Sequence, residues 1–117
     1  MPEARVNLGY ARLEAGDFAG AEAAFLSALE LRPGQVNGYY GLAQSLEALD
    51  DLPGALGAMR SFMHLSAEGD PFRRWALAAI WEWHSVLEAA GAKGASLRTG
   101  LKSDSQSAGE SGADPQP

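Results

Sequence analysis

Apolar residues along the first third of the chain fall at helical spacing. Val6, Leu8, Ala11 and Leu13 mark one helix over residues 3–15, and Ala21, Ala24, Phe25, Ala28 and Leu29 mark a second over residues 18–31. Gly16-Asp17 divides them. Glycine accepts the left-handed conformation that a helix end favours, and aspartate caps the helix that follows. Pro33-Gly34 stops the second helix.

A shift of 34 residues carries Leu8 onto Leu42, Gly9 onto Ala43, Asp17 onto Asp51, Phe18 onto Leu52, Gly20 onto Gly54, Ala21 onto Ala55 and Phe25 onto Met59. This is an internal repeat, with copies over residues 2–35 and 36–69. It predicts a third helix over residues 36–49 and a fourth over 53–66, with Asp51 as cap and Pro53 in the first turn, where a missing amide hydrogen costs nothing. Small residues at Gly9, Ala43, Ala21 and Ala55 let helices approach, while Leu8, Leu42, Phe25 and Met59 fill the space between layers. The second copy is less regular. Phe62 stands where Ala28 stood, Ala67 replaces Pro33, and glycines at 38, 41, 54 and 57 each cost a helix interior about 1 kcal/mol relative to alanine. That copy is expected to be the softer one.

Asp70-Pro71 opens a fifth helix over residues 71–90, with a stripe of Phe72, Trp75, Ala76, Ala79, Ile80, Trp83, Val86, Leu87 and Ala90 ending at Gly91. It reads either as the first helix of a third repeat or as a helix capping the last apolar face. Trp75 and Trp83 are assigned to the core. Arg74, Leu77, Ala78, Trp81 and Ser85 lie off the stripe. Residues 92–117 are rich in Gly, Ser, Asp, Gln and Pro, with only Leu97 and Leu101 as large apolar side chains. Disorder is expected there, because such a segment buries too little to offset the entropy of ordering it, with a short helix over residues 96–102 as the alternative. The organisation is therefore one helical domain over 1–91 and a tail over 92–117.

Charge narrows the partner. All of the net charge of −6 falls in the first 91 residues, since the tail carries three bases and three acids. An acidic helical body argues against nucleic acid or an anionic membrane surface, both of which require a basic patch. No cysteine is present, which removes disulfides, thiolate metal sites and a cysteine nucleophile. The N-terminus lacks a basic region followed by an apolar run, and no stretch approaches the roughly 18 apolar residues of a membrane span. With Met1 as the natural start, a cytoplasmic location is expected.

Candidate chemistry is sparse. His64 and His84 have no second ligand at metal spacing, and Glu88, four residues past His84, suits a surface ion pair. Asp50-Asp51 and the pair Glu68 and Asp70 fall at helix starts, where acids stabilise the positive dipole end. No phosphate-binding glycine loop, nucleophile elbow or zinc motif occurs, and no serine or threonine has an activating base nearby. The expectation is a chain without catalytic, cofactor or metal residues.

The Leu8-Gly9 pair, the Gly16-Asp17-Phe18 turn, Ala21, Phe25, Ala28 and Pro33 together resemble a tetratricopeptide repeat, a 34-residue helix-turn-helix that stacks on copies of itself. The resemblance covers residues 2–69 and part of the fifth helix. It implies an all-α fold: a short right-handed α-solenoid of antiparallel helix pairs, five helices in all, whose concave face binds a peptide or helix of another protein. Carried over, the groove positions are Val6, Asn7, Tyr10 and Leu13 from the first helix and Tyr40, Gly41, Gln44 and Glu47 from the third. The fifth helix adds Arg74, Trp75, Ala78 and Trp81. Of these, Asn7, Tyr10, Tyr40, Gln44, Arg74, Ala78 and Trp81 form the candidate partner-binding set. Trp81 either anchors a partner or lies half buried, and Tyr10 and Tyr40 carry the same ambiguity between recognition and core. The lysine, asparagine and arginine clamp by which some members hold a terminal carboxylate has no counterpart, because Val6, Tyr10, Gly41, Pro71 and Trp75 occupy its positions. A groove of this composition in an acidic body suits an apolar peptide with basic residues at its edges. Two repeats and a helix are close to the minimum for a stable solenoid, so self-association into a homodimer is the rival expectation. A third is a regulatory part of a larger protein.

Overall fold

The computed structural model describes the backbone of residues 1–102 and the side chains of residues 1–91. Five helices and no strand make up the described residues: α1 (Pro2–Glu14), α2 (Phe18–Leu31), α3 (Val36–Ala48), α4 (Leu52–Leu65) and α5 (Arg73–Lys102). By compactness the chain divides into two units, residues 1–84 and residues 85–117, with the boundary inside α5. Within the first unit α1 packs on α2, α3 on α4 and α2 on α3, with a smaller contact between α1 and α3. The described part of the second unit is the C-terminal stretch of α5.

The connections repeat with the sequence. After α1, the Gly16 amide donates to the Leu13 carbonyl at 3.1 Å and the Asp17 amide to the Arg12 carbonyl at 2.8 Å. Thirty-four residues on, the Asp50 amide donates to Glu47 at 3.0 Å and the Asp51 amide to Leu46 at 2.8 Å. This paired closure needs a left-handed residue, and Gly16 (φ 86°) and Asp50 (φ 65°) supply it in turn. Asp50 is thus the end of α3 and not, as the sequence suggests, part of a cap for the next helix. Asp17 and Asp51 do cap: each carboxylate accepts from the glycine amide three residues on, Gly20 or Gly54, at 3.0 Å. A Cβ at either glycine would run into that carboxylate.

Phe25 occupies the centre of the packing. Its ring is fully buried between α1 and α3, where a Cβ on Gly9 would stand 2.6 Å from Cε1 and a Cβ on Gly41 would fall still closer to the ring. Ala21, Ala24 and Ala28 on α2, Ala43 on α3 and Ala55 on α4 are buried beside it in the same core, with Leu42, Met59 and Phe62. Of the four glycines expected to soften the second copy, Gly38 lies against Leu29, Gly41 against Phe25 and Gly54 against Asp51; only Gly57 meets open space. Three of the four therefore permit a close approach.

Several expectations change. Leu8 is 44% exposed and fills no interlayer gap. Trp75, assigned to the core, is 59% exposed, because the buried line of α5 runs through Ala76 and Trp83 with Ile80 and Leu87 half-buried. α5 also starts at Arg73, two residues later than expected. Asp70 accepts from the Phe72 amide at 2.9 Å in the turn before it. Arg73 fixes that junction, donating to the Met63 and Ser66 carbonyls at 2.9 and 3.1 Å and to the Ser66 hydroxyl at 2.8 Å. A guanidinium thus satisfies carbonyls left over at the end of α4. At the other end α5 continues through Gly91 to Lys102, so residues 92–102, expected to be disordered, are helical; residues 103–117 of the expected tail lie outside the described residues. No helix among the described residues is long and apolar enough to cross a membrane.

Candidate binding groove

The repeat that governs the turns does not govern the aromatic side chains. In the first pair Tyr10 of α1 meets Phe25 of α2 edge-on, with ring centroids 4.9 Å apart. Strict repetition would set Gln44 against Met59. Instead Tyr40 of α3 meets Phe62 of α4, centroids 5.1 Å apart, and Phe72 of the turn before α5 leans on the same tyrosine at 5.4 Å. Tyr40 stands one helical turn before the repeated position and Phe62 about one turn after it.

That displacement leaves a cavity of about 380 Å³ lined by Tyr10, Asn37, Tyr40, Gln44, Phe62 and Phe72. Four aromatic rings form its apolar surface. The Tyr10 hydroxyl donates to the Asn37 carbonyl at 2.9 Å, tying α1 to α3 at the cavity edge. Burial pushes the Tyr10 phenol up to about 12; the neighbouring Tyr40 adds to the rise and the Gly41 backbone amide opposes it. The Tyr40 phenol is also raised, by burial. Both rings thus stay neutral near pH 7 and present apolar faces with one polar edge. Across Tyr10 lies a shallower cleft of about 410 Å³, lined by Asn7, Tyr10, Ala11, Leu13 and Glu14.

No protein-family model, curated protein or solved structure matches this chain.

Of the candidate set, Tyr10, Tyr40 and Gln44 line the cavity, and Asn7 joins Tyr10 in the adjoining cleft. Arg74, Ala78 and Trp81 are exposed on α5 and none lines either one. Arg74 instead lies over the Trp75 ring, 5.7 Å from its centroid. Val6 and Gly41, groove positions by resemblance, are buried: Gly41 serves the Phe25 ring and presents no side chain. Asn37, Phe62 and Phe72 were not foreseen as lining residues. Phe62 departs from the small residue of the first copy, and that irregularity is the signal that could have found it. Among the described residues no three of His, Cys, Asp or Glu gather as metal ligands would.

Proposed function

We propose that the protein is a non-catalytic interaction module of tetratricopeptide type, a short right-handed solenoid of antiparallel helix pairs that binds a peptide or helix of another protein. The observation that carries this reading is the aromatic cavity between the first and second helix pairs, flanked by Asn37 and Gln44. An apolar pocket with a few polar groups at its edge is the usual form of a recognition site. Its place on α1 and α3, the first helix of each copy, agrees with the groove that the resemblance implies. The repeated turn geometry supports the solenoid reading. So does the displaced aromatic contact, because moving one turn back on α3 and one turn forward on α4 keeps two rings opposed only where neighbouring helices run in opposite directions.

Affinity capture from the native cell extract tests it, with wild-type, Tyr40→Ala and Trp81→Ala baits compared and helix content checked by far-UV circular dichroism. Loss of capture by Tyr40→Ala at unchanged helicity supports the cavity. Equal capture by wild type and Tyr40→Ala contradicts it.

A second reading, self-association, is favoured by the exposed apolar side chains of α5: Trp81 at 77%, Trp75 and Leu77. Light scattering over a concentration series separates the two. A strict monomer at high micromolar concentration counts against the dimer.

A further inference from the structure

We infer that the groove is built for an extended peptide bearing a large apolar side chain and, about two residues along, a lysine or arginine. This rests on the groove reading above and names its occupant. The aromatic cavity and the adjoining cleft share Tyr10, so a ligand crossing that ring enters both. Four rings and a volume of about 380 Å³ suit an aromatic or branched aliphatic anchor in the first. The second has a different character: Ala11 and Leu13 offer apolar surface, and Glu14, exposed, supplies the only charge among the described residues of its lining. A basic side chain fits that combination, its methylene stem lying on Leu13 and its cationic head meeting the carboxylate.

Charge supports the same sign. Among the described residues neither lining contains lysine, arginine or histidine. Arg73 is held by the end of α4 and Arg74 lies over Trp75. Glu47, three residues past Gln44 on α3 and exposed, adds a second negative group one turn along that helix. The spacing follows from geometry: Glu14 lies one helical turn past Tyr10, about 5 to 6 Å, and an extended chain advances about 3.3 Å per residue. Asn37 and Gln44 have side-chain amides with no hydrogen bond among the described residues, and each can both donate to and accept from a passing backbone.

A positional-scanning library of immobilised peptides, each with one fixed phenylalanine, tests this with the full chain as probe. Wild type is expected to enrich Lys or Arg about two positions from the phenylalanine by roughly fivefold over Asp or Glu at low salt, and less at high salt. Glu14→Lys, a surface change that spares the core, is expected to reverse the preference. Phenylalanine-dependent binding that is indifferent to the base, or a base preference that Glu14→Lys leaves intact, would overturn the inference. It would leave the groove standing if Tyr40→Ala still abolishes binding. Capture of no phenylalanine peptide by wild type overturns both.

Discussion

The two helix pairs share their turns and differ in their packing. Gly16 and Asp50 take the same left-handed conformation, and Asp17 and Asp51 make the same cap. Yet Phe25 is enclosed by Gly9 and Gly41, whereas its counterpart Met59 leaves room for a separate contact between Tyr40 and Phe62. Turn chemistry is local and repeats when the local sequence does. Packing is a property of neighbours, and α3 has helices against both sides while α1 does not. The candidate groove lies where the repetition fails: Gln44 stands in the second pair where Tyr10 stands in the first, and both line the cavity.

Truncating the two equivalent core residues gives the largest expected effect. Phe25→Ala should cost about 3 to 5 kcal/mol and Met59→Ala less, since the Phe25 ring is enclosed between α1 and α3. Equal losses in denaturant unfolding would mean that the pairs pack alike. Alanine at Gly41 should destabilise by about 1 to 3 kcal/mol, because the added carbon meets the Phe25 ring. At Gly57, exposed and facing open space, the same change should stabilise by up to about 1 kcal/mol. The opposite signs are read from the shift in midpoint. Asp50→Gly should raise stability by roughly 0.5 to 1 kcal/mol by relieving a positive φ, making the second turn equivalent to the first.

Titration gives the subtlest contrast. Tyr10 ionises near 12 when folded against an ordinary value of 10.0. The folded state therefore favours the neutral phenol. Its contribution is complete below pH 10 and is lost as pH rises toward 12. Tyrosinate absorbance in Tyr10→Phe, compared with wild type, should lack the highest-pH step. If the step remains, Tyr10 is not the buried phenol of the groove.

The sequence supports the helices, the Asp17 and Asp51 caps and the buried Phe25 and Met59, because each depends on neighbours at fixed spacing. It misplaces Leu8 and Trp75, since a helical stripe several residues wide does not say which of its members meets the next helix. It places a stop at Gly91, which α5 passes through, and allows a helix over residues 96–102 only as the alternative to disorder. For the groove, Tyr10, Tyr40 and Gln44 are legible from helical spacing on α1 and α3. Phe62 is marked only by its departure from Ala28 of the first copy, and Phe72 not at all, because their place depends on an aromatic contact displaced by one turn. Arg74, Ala78 and Trp81 share a face of α5 but do not reach the cavity lining.

The most direct test restores the repetition that the groove breaks. Gln44→Tyr places in the second pair the residue that Tyr10 supplies in the first and fills the cavity from its own wall. Fluorescence anisotropy with the peptide pool selected by wild type should then show affinity falling by at least about tenfold, with helicity and unfolding midpoint preserved. Unchanged affinity for that pool in a folded Gln44→Tyr protein would contradict the assignment of binding to this cavity.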